Sequence, residues 1–171
     1  MAVVTLPAQL LNRHMAWHMN PPQSGGRQFP SGTPGSGKEF LTFHGKFLQD
    51  ALAWYAIQPG NNPQLVAPWD LIPAELKNDP QTNWNDPNQN FPAQEARITT
   101  QPNSFASDDA LGIFIETGIH NNFLHGACAV HFHDANIGDP MKAPRSSYFY
   151  NIHGLVSLWW KAWRNSTGHG G

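Results

Sequence analysis

The chain has 171 residues, a formal net charge of −2 with neutral histidines, and only 13% charged side chains. That length suits a single domain, 1–171, with enough chain to bury a core, and the charge balance argues against a nucleic-acid partner. No apolar run reaches the roughly 20 residues that a membrane helix needs. The single cysteine, Cys128, excludes an internal disulfide framework. The start lacks the basic and apolar regions of a signal peptide, so the expectation is a soluble, cytoplasmic protein with no membrane partner.

In chain order, the first predicted helix runs from about Pro7 to Met19 and stops at the Asn-Pro-Pro of 20–22. A Gly/Pro/Ser loop follows. The second helix is predicted over Lys38 to Ile57, where Phe40, Phe43, Phe47, Leu48, Ala51, Leu52 and Tyr55 give an apolar face. Residues 58–106 are rich in Pro and Asn, with short helices expected at 73–78 and 93–98. We read this segment as an ordered wrap, anchored by Trp69, Trp84 and Phe91, that shapes the entrance to a site. The third helix starts near Asp108, capped by Ser107 or Asp108, and runs to about residue 130. The fourth starts after Ser146 or Ser147 and ends near Trp163, before a tail from about 165 that is expected to be flexible. The fold class expected is mainly α: a four-helix bundle core carrying a metal site, wrapped by long Pro/Asn-rich loops.

Nine histidines stand at 14, 18, 44, 120, 125, 131, 133, 153 and 169, and each of the four helices carries at least one of them. Bundles build metal sites by aiming side chains inward from facing helices. His14 and His18, at i and i+4, share one helical face. His44 and His153 sit in apolar surroundings, where a core imidazole bonded to a carbonyl is the plainer reading of each alone. His120 and His125 are five apart, which on a regular helix turns the second about 140° from the first. They converge only if the helix bulges or breaks, and Gly118 and Gly126 would ease that. His131 and His133 alternate like strand or loop residues, which suits a surface or supporting role. Cys128 reads as a buried, inert thiol. An all-imidazole ligand set of His14, His18, His44, His120, His125 and His153, without carboxylate or thiolate, suits copper or zinc. Six imidazoles would serve two coppers with three each.

These residues resemble the tyrosinase and hemocyanin superfamily of dicopper proteins. In the fourth helix Phe149, His153, Trp160 and Trp163 follow the family's copper-B helix. "HNNFLHG" supplies His120, Asn121, His125 and Gly126, similar to its second copper-B element but one residue longer in the histidine spacing. "EFLTFHGKFL" resembles its third copper-A segment and places His44, with His18 near the first ligand. The second copper-A ligand would fall at position 35, which is glycine here. His14 is the candidate substitute, with His131 and His133 as alternatives. Ser157 stands where the family usually has Asp. The resemblance covers about 80 residues in three blocks and implies two copper ions as cofactor. It implies a phenolic small-molecule substrate and O2 as partners, and oxidation of phenols, catechols or aminophenols to quinone-type products. The alternative is a non-catalytic oxygen-binding or copper-binding protein. As catalytic residues it implies Asn121, which would polarise a phenol or water, and a carboxylate such as Glu116 or Glu95 that orients a water. Exposed aromatics in a chain of low charge add an expectation of homo-oligomers.

Overall fold

A computed structural model describes residues 4–166 of the chain, so the expected tail beyond 166, with His169, lies outside the described residues. Helix α1 is Ala8–Met19, α2 Ser36–Ala56, α3 Ala74–Asn78 and α4 Phe91–Thr100. Helix α5 is Asp108–Ile115, which continues through a π-helical segment, Glu116–Leu124, into α6, His125–His131. Helix α7 is Ser147–Asn165. The fold is mainly helical, with α1, α2, the α5–α6 rod and α7 around one core. No helix among the described residues is long and apolar enough to cross a membrane.

Local chemistry sets the helix ends. Pro7 precedes α1 as its cap residue, with extended backbone, rather than opening the first turn. Ser107 caps α5, its Oγ accepting from the Ala110 N–H at 3.1 Å, and Ser146 caps α7 by accepting from Tyr148 N–H at 3.1 Å. Helix α2 begins two residues earlier than its own sequence suggests. The reason is tertiary: the Asp109 carboxylate, on α5, accepts from the N–H groups of Gly35, Gly37 and Lys38 at 2.9, 2.9 and 3.0 Å. It satisfies donors that the end of a helix leaves unpaired. The same crossing brings Gly37 and Gly112 backbone to backbone, with no room for a Cβ on either.

The core is aromatic and aliphatic, with Phe40 and Phe47 from α2, Leu111 and Ile115 from α5, and Phe149, Tyr150 and Ile152 from α7 fully enclosed. Segment 58–106 is ordered against this core. Asn151 of α7 donates its side-chain N–H groups to the carbonyls of Ala67 and Leu65 at 2.6 and 3.2 Å. Trp84 and Phe91 pack on Phe123, with ring centroids 4.8 and 5.1 Å apart.

Candidate metal centre

Six histidines converge in two groups of three. His14 and His18 project from α1 and meet His44 of α2, while His120 and His125 meet His153 of α7. Within each group one ring nitrogen per histidine lies within 4.8 Å of the others, so each group could hold a metal ion. Two nitrogens bonded to one ion at about 2.0 Å, at trigonal or tetrahedral angles, stand roughly 3.3–3.5 Å apart. The Nε2 atoms of His120 and His125 are 3.1 Å apart, and those of His120 and His153 are 3.5 Å apart.

The two pairs contributed by a single rod are built differently. His14 and His18 use the ordinary i, i+4 geometry of α1, with ring centroids 4.7 Å apart. His120 and His125 meet because the rod between α5 and α6 is π-helical, which places residues five apart one turn above each other. Two residues ahead of the pair the rod kinks at Gly118, whose backbone leaves the helical region (φ −99°, ψ −113°). A Cβ there would run into the Gln94 side chain, so the kink and the missing side chain go together. The resulting ring centroids are 4.6 Å apart.

The groups face each other. His44 and His153 stack with centroids 4.3 Å apart and planes 2° from parallel. All six rings line one cavity of about 410 Å³. Phe40, Phe43, Phe47 and Phe149 pack against the imidazoles from behind, and Trp17 meets His18 and His44 edge-on at 4.8 and 4.9 Å.

Burial holds these imidazoles neutral. It lowers His14 to about 3, reinforced by His18 and His125; the Pro140 carbonyl nearby opposes this only weakly. His44, His120 and His153 are pushed well below the ordinary 6.5, chiefly by burial and then by neighbouring histidines. Neutral imidazole is the form that ligates metal.

Hydrogen bonds then fix three rings with Nε2 toward the cavity. Nδ1–H donates to Phe40 O in His44 (3.0 Å), to the Asn121 Oδ1 in His120 (2.8 Å) and to Ile137 O in His125 (2.9 Å). Such partners set tautomer and ring orientation in metal sites. By contrast, both ring nitrogens of His14 and the Nδ1 of His153 are buried without a hydrogen bond. Orphaned buried nitrogens are costly unless a ligand uses them, and one of the two on His14 fits the ion its group could hold.

The other expected residues fall in place or out of it. Asn121 lines the cavity, with its carbonyl oxygen committed to His120. Glu116 also lines it, 4% exposed, but Arg27 holds both its carboxylate oxygens, at 2.6 and 3.2 Å. Glu95 is paired with Lys77 at 2.6 and 2.8 Å and does not line the cavity. His131 donates instead to Asp79 at 2.7 Å, and His133 stands two residues past the end of α6 in a left-handed conformation (φ 53°); neither belongs to a triad. The third member of the first group is therefore His14. Ser157 donates to the His153 carbonyl at 2.9 Å.

The expectation that segment 58–106 shapes the entrance is corrected. None of its residues lines the cavity, whose remaining walls are Arg27 and Ser31 of the Gly/Pro/Ser loop and Ile137 to Ala143 before α7. These walls are pinned by long-range bonds, Arg27 to Glu116 and Ile137 to His125. Nothing in the local composition of either loop announces them, although the charged Arg27 amid Gly and Ser was the available signal. Comparison of the chain with family models, curated proteins and solved structures returned no match, so the residues and their geometry carry the functional reading.

Proposed function

We propose that the chain is a dicopper oxidase that uses O2 to convert phenols, catechols or aminophenols to quinone-type products. The observation that carries this reading is the donor set: six neutral imidazoles in two facing triads, with no carboxylate or thiolate among them. Such a set suits copper or zinc, and three imidazoles per ion leave open positions. Zinc hydrolysis would call for a free carboxylate base beside the metal, whereas the Glu116 carboxylate is held by Arg27. Bound copper supplies the binding of O2 and its reduction by the substrate. The electrons balance as two catechols and one O2 giving two quinones and two waters.

The chain's own residues supply the rest. Phe40 and its neighbours back the enclosed imidazoles, and Asn121, which lines the cavity, fixes the His120 tautomer and would offer its amide to a phenol oxygen. A cavity of about 410 Å³ falls in the roughly 300–1,000 Å³ range of small-molecule sites, which favours an enzyme over an oxygen carrier.

The experiment is O2 consumption by copper-loaded protein with 4-methylcatechol and with 2-aminophenol. Turnover that requires copper and disappears in His153→Ala is the expected result. Reversible O2 binding without turnover points to the carrier reading. A chain that takes up zinc but not copper overturns both.

A further inference from the structure

Outside the histidine cavity, one cluster of metal-ligating side chains is unexplained. The chain has four methionines, and three of them, Met15, Met19 and Met141, line a single surface groove of about 350 Å³ with Asn12, Ala16 and Asn20. Met15 and Met19 are i and i+4 on α1, so their thioethers share one helical face. Each directly follows a histidine of the first triad, as His14-Met15 and His18-Met19. Met141 stands on a turn fixed by Asp139, whose side chain accepts from the Met141 N–H at 2.9 Å and whose carbonyl accepts from Lys142 and Ala143 at 2.8 and 2.7 Å. Its neighbour Pro140 lines the histidine cavity. The groove and the cavity are thus the two sides of one seam between α1 and the 138–143 turn.

Apolar packing does not account for Met19, which is 66% exposed and buries little, whereas Met15 and Met141 are half-buried; Leu would serve a merely apolar surface as well. What methionine adds is a soft, polarisable sulfur, the donor that selects cuprous ion over harder metals. His18, the exposed member of its triad, stands beside this sulfur cluster on the same turn of α1.

We propose that Met15, Met19 and Met141 form a thioether uptake site for cuprous ion, from which copper passes to His18 and the first triad. The uptake role rests on the copper reading of the triads; the thioether site itself does not.

Two measurements decide it. In metal-free protein labelled with 13C at the methionine methyls, silver(I) serves as a redox-inert cuprous probe. The methyls of Met15, Met19 and Met141 shift together and saturate at one equivalent, while Met1 stays in place. No shift, or equal movement of all four methyls, overturns the site. The Leu substitutions M15L, M19L and M141L in one chain then slow anaerobic loading from cuprous acetonitrile at least tenfold, with the final copper content unchanged. If that chain does not fold, Met19→Leu alone, at an exposed position, gives a smaller slowing in the same direction. An unchanged rate overturns the uptake role and leaves the dicopper reading intact. A parent chain that takes no copper from either source overturns that reading and the uptake role with it, while the silver shifts still decide the thioether site.

Discussion

The two histidine triads have the same composition and opposite construction. The first, His14, His18 and His44, uses a regular helix and reaches the surface at His18, and only His44 has its Nδ1 fixed by a hydrogen bond. The second, His120, His125 and His153, depends on a distorted helix, lies deeper, and has two Nδ1 atoms fixed, by Asn121 and Ile137. Regular geometry comes with loose support, and irregular geometry with firm support. Distortion of a helix persists where the surroundings hold it. The second triad is accordingly the better organised for metal, and the first the easier to reach.

The largest effect that would break this comparison is at His153, which belongs to the second triad and stacks on His44 of the first. His153→Ala is expected to remove the second-triad ion and, by unstacking His44, to weaken the first as well, so metal analysis should fall from two ions per chain to fewer than one. His18→Ala should remove only the first-triad ion and leave one. Equal losses from both variants would mean that the triads do not differ as described.

Next in size is Asn121→Ala. It frees His120 Nδ1 and lowers copper affinity of the second triad by about 10–100-fold, the usual cost of losing a ligand's hydrogen-bond partner. Competition with a chelator should show one weakened site and one unchanged. Gly118→Ala then tests the distortion itself. The new Cβ meets only the end of the Gln94 side chain, which can swing aside, so the cost comes from holding a non-glycine residue at φ −99°, ψ −113°; about 1–3 kcal/mol should appear in thermal unfolding, with affinity lost at the second triad only.

A pH titration of the metal-free chain sharpens the same contrast. Burial holds His14 at about 3 in the fold against 6.5 in the unfolded chain, so the unfolded state binds protons first. Stability is complete above pH 6.5 and declines as pH falls toward 3, where the folded imidazole titrates. The three enclosed histidines His44, His120 and His153 act in the same direction, and His18, which solvent reaches, contributes less. Copper-bound protein should hold its stability to lower pH. The smallest expected change is Gly126→Ala, at an exposed helical position with no atom near a new Cβ. Up to about 1 kcal/mol of added thermal stability should result.

Much of this architecture can be read from sequence because it is local. The i, i+4 pair in α1, the apolar face of α2 and the capping serines of α5 and α7 are short-range signals. The spacing of five between His120 and His125 already demands an irregular helix, and Gly118, just ahead of the pair, is where the rod kinks. What sequence does not display is cooperation between distant residues. Asp109 capping α2 from α5 moves that helix's start, and Arg27 claims the Glu116 carboxylate across 89 positions. The cavity walls at 27–31 and 137–143 escape notice for the same reason, while the longer, more conspicuous 58–106 segment packs elsewhere.

The central claim is that each triad binds its own ion within one shared cavity. Crystals of the copper-loaded protein, measured at the copper absorption edge, test it most directly. Two anomalous peaks are predicted, one among His14, His18 and His44 and the other among His120, His125 and His153. A single peak, or copper held by other residues, would contradict it.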